Sequence, residues 1–315
     1  MRGLLALTNM QFEHALNNGD LVAPPATYSL MIAQCAIKNS ILVITASSKA
    51  AEDLTNEVKE FYSNTLEFPA WETLPHERLS PSSDTVARRI ITLNSLKDRN
   101  QNWIVIAPIR AVIHKINPQI FKYDPITLQH GQEYDLSKLQ EQLNLFGYKR
   151  TDLVERRGEF AVRGGILDIF SPDQIHPIRI DFFGDEIEDL SFFNVSDQRS
   201  TESITDLIQV LPCRELLINE EIRTTALNRS KEIESELLKK VADGLQPEGM
   251  ESLIPLLIGE LKLLPEFMPT KFETILIEKE RVLSRISDLL ATNEEFREAA
   301  WSNAAIGGEA PIEIS

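Results

Sequence analysis

The chain has 315 residues, of which 43% are hydrophobic and 25% are charged, as in an ordinary soluble globular protein. Its formal net charge of −16 argues against a general nucleic-acid-binding surface, because duplex affinity comes mainly from the neutralisation of phosphates. Cys35 and Cys213 stand far apart in apolar contexts, which favours buried thiols in a reducing compartment. Since no apolar run has membrane-spanning length and no signal-type cleavage site follows Met1, we expect a cytoplasmic monomer without membrane association.

Strands and helices alternate in the first third of the chain. Residues 41–45 (ILVIT) and 102–107 (NWIVIA) are apolar runs typical of strands that are buried on both faces. Ser47 or Ser48 is the expected N-cap of a helix after the first run, and a second helix is expected near residues 83–96. The first of these helices has an apolar stripe: Ala50, Leu54, Val58 and Phe61. The alternation predicts a parallel sheet with right-handed crossovers.

A β-rich module with arginines on its strands follows a helix expected near residues 135–146. Strand-type residues surround the break at Gly164–Gly165, and further strands are expected at 178–183 and 187–193. Arg163 and Arg179 lie in or beside these strands, where sheets favour apolar, Thr or aromatic residues. Two interpretations remain open. The arginines pair with nearby carboxylates and only solvate one face, or they belong to a docking surface.

The last third of the chain returns to an α/β pattern. It is helical from Asn219, a strand is expected at 274–277, and two helices are expected at 280–290 and 293–305. The length allows two domains, so this return suggests a discontinuous α/β body with an insertion. The predicted segments are these: 1–120, the first part of the body; 121–212, the inserted β-rich α+β domain; and 213–315, the second part of the body.

We find no motif that carries catalysis, so we expect no enzyme activity, catalytic residue, metal or cofactor in this chain. A phosphate-binding loop of the form G-x-x-x-x-G-K-[ST] is absent, and residues 18–31, where it would belong, have two prolines, one glycine and no lysine. His76-Glu77 lacks the second histidine of a zinc motif, because position 80 is Ser80. The acidic run at 185–189 lacks the ligand spacing of an EF-hand.

Several motifs resemble one family over nearly the whole chain. They are the stretches 68–90 (FPAWETLPHERLSPSSDTVARRI), 158–170, 177–190 (PIRIDFFGDEIEDL), 196–200 (SDQRS) and 294–312. Together they resemble the N-terminal, UvrB-like part of the bacterial transcription-repair coupling factors (Mfd). The resemblance implies a discontinuous, P-loop-NTPase-like (UvrB-like) α/β body that lacks a functional phosphate loop. It also implies that the inserted domain binds UvrA, the damage-recognition ATPase.

The same resemblance implies which residues bind UvrA. They are Arg163 in FAVRGG, Arg179 in PIRIDFF, and Phe183, the second phenylalanine of DFF. Phe183 has a structural alternative, because strand alternation would also let it pack in the core of the module. The implied function is recruitment of UvrA to RNA polymerase stalled at DNA lesions.

Other activities of the family belong to parts that these residues lack. The ATP- and Mg-dependent motor that translocates on DNA and displaces polymerase, and the domain that grips polymerase, lie further toward the C-terminus in the family. RNA polymerase and DNA are therefore expected only as partners of those parts. Constitutive UvrA binding is expected, since a C-terminal domain is thought to mask this face in the family. Two alternatives remain, a UvrB-like excision-repair ATPase and a DNA-binding module.

Overall fold

The structure, a computed structural model, describes residues 19, 21–73 and 79–305, with the side chains of all of these except 293 and 296–305. The expectations about the first 18 residues and about His76-Glu77 concern residues outside this set. The described chain forms two compact units. The first unit comprises the described residues up to Ala70, Thr92–Ile116, and the described residues from Lys262 onward; the second comprises Trp71–Ile91 and Asn117–Leu261.

The helices and strands are numbered in chain order. The helices are α1 (Tyr28–Cys35), α2 (Ser48–Lys59), α3 (Ser83–Ser95), α4 (Ile109–Val112), α5 (Leu136–Leu145), α6 (Glu220–Arg229), α7 (Glu236–Ala242), α8 (Ile254–Leu257) and α9 (Lys279–Ala305). The strands are β1 (Ser40–Thr45), β2 (Thr65–Glu67), β3 (Ile104–Pro108), β4 (Ile126–Leu128), β5 (Lys149–Arg150), β6 (Glu159–Arg163), β7 (Ile166–Ile169), β8 (Ile178–Phe183), β9 (Glu186–Phe193), β10 (Ser200–Ser203), β11 (Ile208–Val210) and β12 (Phe272–Leu276).

The first unit is built on a four-stranded parallel sheet in the order β12-β1-β3-β2. Every residue of β1 and β3 is buried, as their continuous apolar runs predicted for strands inside a parallel sheet. The Oγ of Ser47 accepts a hydrogen bond from the backbone N–H of Ala50, so Ser47 is the N-cap of α2. The buried stripe of α2 is Ala51, Leu54, Thr55 and Val58. Ala50 and Phe61 are exposed, so the predicted stripe was wrong at its two ends.

The last helix differs from the prediction. Residues 279–305 form one helix, α9, and not two helices separated near residue 292. No glycine or proline lies between 280 and 300, so nothing in the covalent chain forces a break there.

The second unit contains a six-stranded sheet in the order β10-β9-β8-β7-β6-β5, antiparallel except where β5 pairs with β6. The hairpin turns fall at Gly164 and Gly184, which both have a positive φ. One face of this sheet is apolar and fully buried: Phe160, Leu167, Ile169, Ile178, Ile180 and Leu190. A separate antiparallel pair joins β4 to β11. The opposite face carries the two predicted arginines.

A helical core completes the second unit. Trp71 packs in one apolar cluster with residues from the segment 213–261: Leu216, Ile222, Ala226, Leu238, Val241, Met250 and Leu253. The unit therefore extends past residue 212, where we predicted the inserted domain to end, and only residues from Lys262 onward return to the parallel sheet. Sequence spacing could not predict this grouping, because it depends on a contact between Trp71 and residues about 150 positions later.

A buried polar network fixes these distant segments together. The guanidinium Nε of Arg89 donates to Oε1 of Glu215 at 2.6 Å, and both side chains are almost completely buried. The indole Nε1 of Trp71 donates to the same carboxylate oxygen at 2.9 Å, and Nδ2 of Asn117 donates to the backbone oxygen of Glu215 at 3.0 Å. These contacts join residues of Trp71–Ile91 to Asn117 and to Glu215 within the second unit.

Candidate protein-binding site

The three residues that the sequence singled out lie on one face of the six-stranded sheet. Alternation along β8 places Arg179 and Phe183 on the same side, with a shift of the β8–β9 register between Asp181 and Phe182. Arg179 is opposite Asp168 in the β7–β8 register, and residues directly opposite each other share a face. Arg163, at the end of β6, is opposite Ile166 of β7, two residues from Asp168. We call this side of the sheet the arginine face; it comprises Arg163, Ile166, Asp168, Arg179, Asp181 and Phe183.

Asp168 joins the two arginines. Its Oδ1 accepts a hydrogen bond from Nε of Arg179 at 2.8 Å, and its Oδ2 accepts one from Nη2 of Arg179 at 2.9 Å. The same Oδ2 accepts a hydrogen bond from Nη2 of Arg163 at 2.5 Å. The Asp168 side chain is only 1% exposed. Both arginines therefore pair with a carboxylate, as the first interpretation expected. The two share a single buried carboxylate and do not each pair with a different one.

Arg179 is packed into the sheet on several sides. Its side chain is 14% exposed, and its Nη1 donates to the backbone oxygen of Gln198 at 3.0 Å. Its guanidinium carbon lies 4.7 Å from the ring centroid of Phe193, a cation–π distance. The hydrogen bond to Asp168 raises the pKa of Arg179, so its charge is permanent. Gln198 has a left-handed backbone, φ 59°, which belongs to the turn that presents this oxygen.

Arg163 and Phe183 are the accessible members of the face. The Arg163 side chain is 45% exposed, and its one hydrogen bond within the described structure is to Asp168. Phe183 is 76% exposed beside the β8–β9 turn and does not pack in the core of the module. Arg163 on β6 and Phe183 on β8 are separated by β7. Arginine and exposed aromatic side chains are typical of the anchors of protein–protein interfaces.

Carboxylates surround these anchors. Burial raises the pKa of Asp181, opposed by the nearby Arg179 and reinforced by the charges of Asp189, Asp168 and Glu188. Negative charge is therefore already crowded on this face. An anionic group of a partner would be attracted by Arg163 and repelled by the carboxylates elsewhere on the face. The face would therefore bind such a group only at Arg163.

The sequence identified the arginines but missed Asp168 and Gln198. A signal for Asp168 was available, because a two-residue turn at Gly164–Gly165 fixes the register of β6 and β7. That register puts Asp168 on the side of Arg163. Gln198 had no comparable signal, because its role depends on the backbone of an irregular turn.

The first unit has a separate cleft of about 410 Å³ beyond the carboxyl ends of β1 and β3. Its lining residues are Ala46, Ser47, Ser48, Pro108, Arg110, Arg281, Ser284, Arg285 and Asp288. Ligands of open parallel sheets bind at such edges. Arg281 pairs with Glu278 at 2.6 Å, and the described lining contains no lysine.

Among the described residues, no group of three or more His, Cys, Asp and Glu side chains is arranged to hold a metal ion. In the same part of the chain, no helix combines the length and the apolar content needed to cross a bilayer.

Comparisons with known proteins agree on one family. A family model described as the UvrB interaction domain matches residues 126–216, close to the predicted inserted domain. The chain is 37% identical to a transcription-repair-coupling factor of Mycobacterium bovis, over 93% of this chain and 26% of that protein. The factor of Escherichia coli (strain K12) is 29% identical over 75% of this chain and 21% of its own length. That of Bacillus subtilis (strain 168) is 31% identical over 66% of this chain and 17% of its own length.

The chain thus spans about a quarter or less of the length of these curated relatives. The resemblance inferred from the motifs is confirmed. Residues 126–216 match the UvrB interaction domain, and the chain as a whole is similar to part of the transcription-repair-coupling factors.

Proposed function

We propose that the chain is a noncatalytic recruitment module that binds UvrA through the arginine face. The observation that carries this proposal is the joint placement of a half-exposed arginine and a largely exposed phenylalanine on one face. Arg163 is 45% exposed and Phe183 is 76% exposed, and both lie within the matched domain.

The proposed chemistry is charge-assisted pairing beside an apolar anchor. The planar fork of an arginine can hold a carboxylate by two parallel hydrogen bonds, a geometry that lysine cannot provide. Phe183 would enter an apolar recess on UvrA and exclude water from the ion pair. Exclusion of water lowers the local dielectric constant and so strengthens the Coulomb attraction between the two charges.

In a longer protein, this binding would serve transcription-coupled repair. The module would bring UvrA to RNA polymerase stalled at a lesion, while ATP-driven translocation and contacts with polymerase and DNA would belong to other parts. For this chain we propose no catalysis and no resident cofactor.

The test is a pull-down of UvrA from the same organism by wild-type chain and by Arg163→Ala/Arg179→Ala. We expect the double variant to lose most of the binding. Truncating one such anchor typically costs about 2 kcal/mol or more, or about thirtyfold in affinity. Equal recovery of UvrA by both proteins would refute the proposal.

Arg229→Ala is the matched control. Arg229 lies on α6, is 47% exposed and forms a weak ion pair with Glu232, so it resembles Arg163 in exposure and pairing. Its removal should leave UvrA recovery unchanged. Loss of binding in this control would show that net charge, and not the arginine face, drives association.

The cleft of the first unit supports a second candidate, a UvrB-like nucleotide-binding subunit. The cleft is lined by three arginines, Arg110, Arg281 and Arg285, and by two serines that follow β1, Ser47 and Ser48. These side chains suit phosphate groups. Calorimetric titration of the chain with ATP and Mg²⁺ separates the two functions. Measurable heat of binding supports the second candidate, and its absence supports a purely recruiting module.

A further inference from the structure

The two arginines have different surroundings, and this difference assigns them different tasks. We infer that Asp168 is a positioning residue, which uses Arg179 as an internal brace and aims Arg163 at an anionic group of the partner. This inference rests on the proposed function, because it concerns how the same face binds. In this arrangement Arg163 contacts the partner, and Arg179 acts through Asp168.

The brace is complete within the domain. Arg179 gives two hydrogen bonds to the carboxylate of Asp168 and a third to Gln198, while the ring of Phe193 covers its guanidinium. Its side chain is 14% exposed. Little of the Arg179 guanidinium is therefore accessible to a partner. If Arg179 broke its hydrogen bonds to bind a partner, the buried carboxylate of Asp168 would lose this compensating charge.

Arg163 has the opposite character. Only Nη2 is hydrogen-bonded within the described structure and the side chain is 45% exposed, so most of its five N–H donors remain available to a partner. The bond to Asp168 fixes one edge of the guanidinium and leaves the remaining donors for a second carboxylate. Holding a long side chain in its binding geometry reduces the conformational entropy that is lost on association.

Charge balance indicates the chemistry of the partner. One carboxylate serves two guanidinium groups, so the cluster of Arg163, Asp168 and Arg179 keeps one excess positive charge. That charge is accessible at Arg163. The partner should therefore present a carboxylate there, and should avoid the side of the face where Asp181 lies.

A double-mutant cycle in UvrA affinity tests the inference on the full chain. The four proteins are wild type, Asp168→Asn, Arg163→Ala and the double variant, each titrated with UvrA from the same organism. If Asp168 acts through Arg163, Asp168→Asn weakens binding about fivefold to tenfold in wild type and less than about twofold when Arg163 is alanine.

Additive losses in the cycle would overturn the inference, because a general loss of structure weakens both backgrounds equally. No loss from Asp168→Asn would also overturn it. Failure of the wild type itself to bind UvrA would instead refute the proposed function, so the two failures are distinguishable.

Arg179→Lys provides a second cycle if Asp168→Asn does not fold, because lysine keeps the charge and loses the two-point hold on Asp168. We expect Arg179→Lys to weaken binding about threefold to tenfold when Arg163 is present. With Arg163→Ala the loss should disappear. A loss that persists without Arg163 would show that Arg179 contacts the partner directly, and would overturn the division of tasks.

Discussion

At the scale of single residues, the arginine face combines one accessible cation with one accessible aromatic ring. Phe183 stands at the end of β8 and is 76% exposed, whereas Phe193 on the neighbouring strand is fully buried under Arg179. The two phenylalanines therefore contribute to different properties. Phe193 contributes to the stability of the fold, and Phe183 to the surface that we propose for UvrA.

Phe183→Ala should weaken UvrA binding about tenfold or more, because a central aromatic anchor is typically worth about 2 kcal/mol. Its unfolding free energy should change by less than about 0.5 kcal/mol, since the ring leaves little buried surface behind. Titration of UvrA and urea denaturation of the same protein measure both quantities. Leu227→Ala, at a 53% exposed position on α6, is the control and should change neither. Lower stability with unchanged affinity would contradict the anchor role.

The sequence singled out the two arginines but not their different exposures, for a physical reason. An arginine on a strand is conspicuous because strands favour apolar and β-branched residues, so Arg163 and Arg179 could be identified without coordinates. The different exposures of the two arginines could not be predicted from the sequence. They depend on Phe193 and Gln198, which contact Arg179 from other parts of the module. Alternation alone gives these arginines the same environment.

At the scale of elements, the end of α5 connects the helix to the sheet that carries the site. Gly147 has φ 87°, its N–H donates to the oxygen of Asn144, and the N–H of Tyr148 donates to the oxygen of Leu143. These are the two bonds of a Schellman motif. The next residue, Tyr148, is buried and donates its hydroxyl to the backbone oxygen of Leu211 at 2.7 Å. The turn therefore fixes where β5 and its sheet begin.

Gly147→Ala should destabilise the second unit by about 2–4 kcal/mol. A left-handed backbone costs a residue with a Cβ about 1–2 kcal/mol, and this Cβ would overlap the side chain of Arg214. Arg214 is held by the buried Glu251 at 2.9 Å, so it cannot move without cost. Urea denaturation measures the change.

Gly131→Ala isolates the contribution of the backbone. Gly131 has φ 76°, but a Cβ there would meet no heavy atom within 4 Å. This variant should lose only about 1 kcal/mol. Equal losses in the two glycine variants would mean that Arg214 yields freely, and would contradict the proposed overlap.

Local patterns predicted elements better than connections. The strands of the β-rich module and both central strands of the parallel sheet were recognised, because apolar alternation and β-branched runs are local signals. The continuity of α9 was missed, since polar residues near 292 were interpreted as a break where no helix-breaking residue exists. The grouping of Trp71 with residues 213–261 was missed because it is entirely long-range.

At the scale of the whole molecule, each unit has its own apolar core and its own cysteine. Cys35 belongs to the first unit, where burial and the charge of Glu273 raise its pKa to about 11. Cys213 belongs to the second unit, where burial raises its pKa to about 12. A raised pKa means that almost no thiolate exists in the folded state at pH 8, whereas an unfolded cysteine has a pKa of about 8.5. Each thiol therefore reports the unfolding of its own unit.

Two core variants exploit this pair of reporters. Ile41→Ala opens a cavity in the core of the parallel sheet, and Leu238→Ala opens one in the helical core around Trp71; both side chains are fully buried. Each change should cost its own unit about 2–5 kcal/mol. Thiol labelling at pH 8 across a urea series, followed by mass spectrometry of the two cysteine peptides, measures the urea midpoint for each thiol.

We expect Ile41→Ala to lower the labelling midpoint of Cys35 more than that of Cys213, and Leu238→Ala to do the reverse. The reason is that a cavity removes contacts only from the core that contains it, and the two apolar clusters share no residue. Equal shifts of both midpoints in both variants would show that the chain unfolds in one cooperative step. The two units would then be compact parts of the folded chain that do not unfold independently of each other.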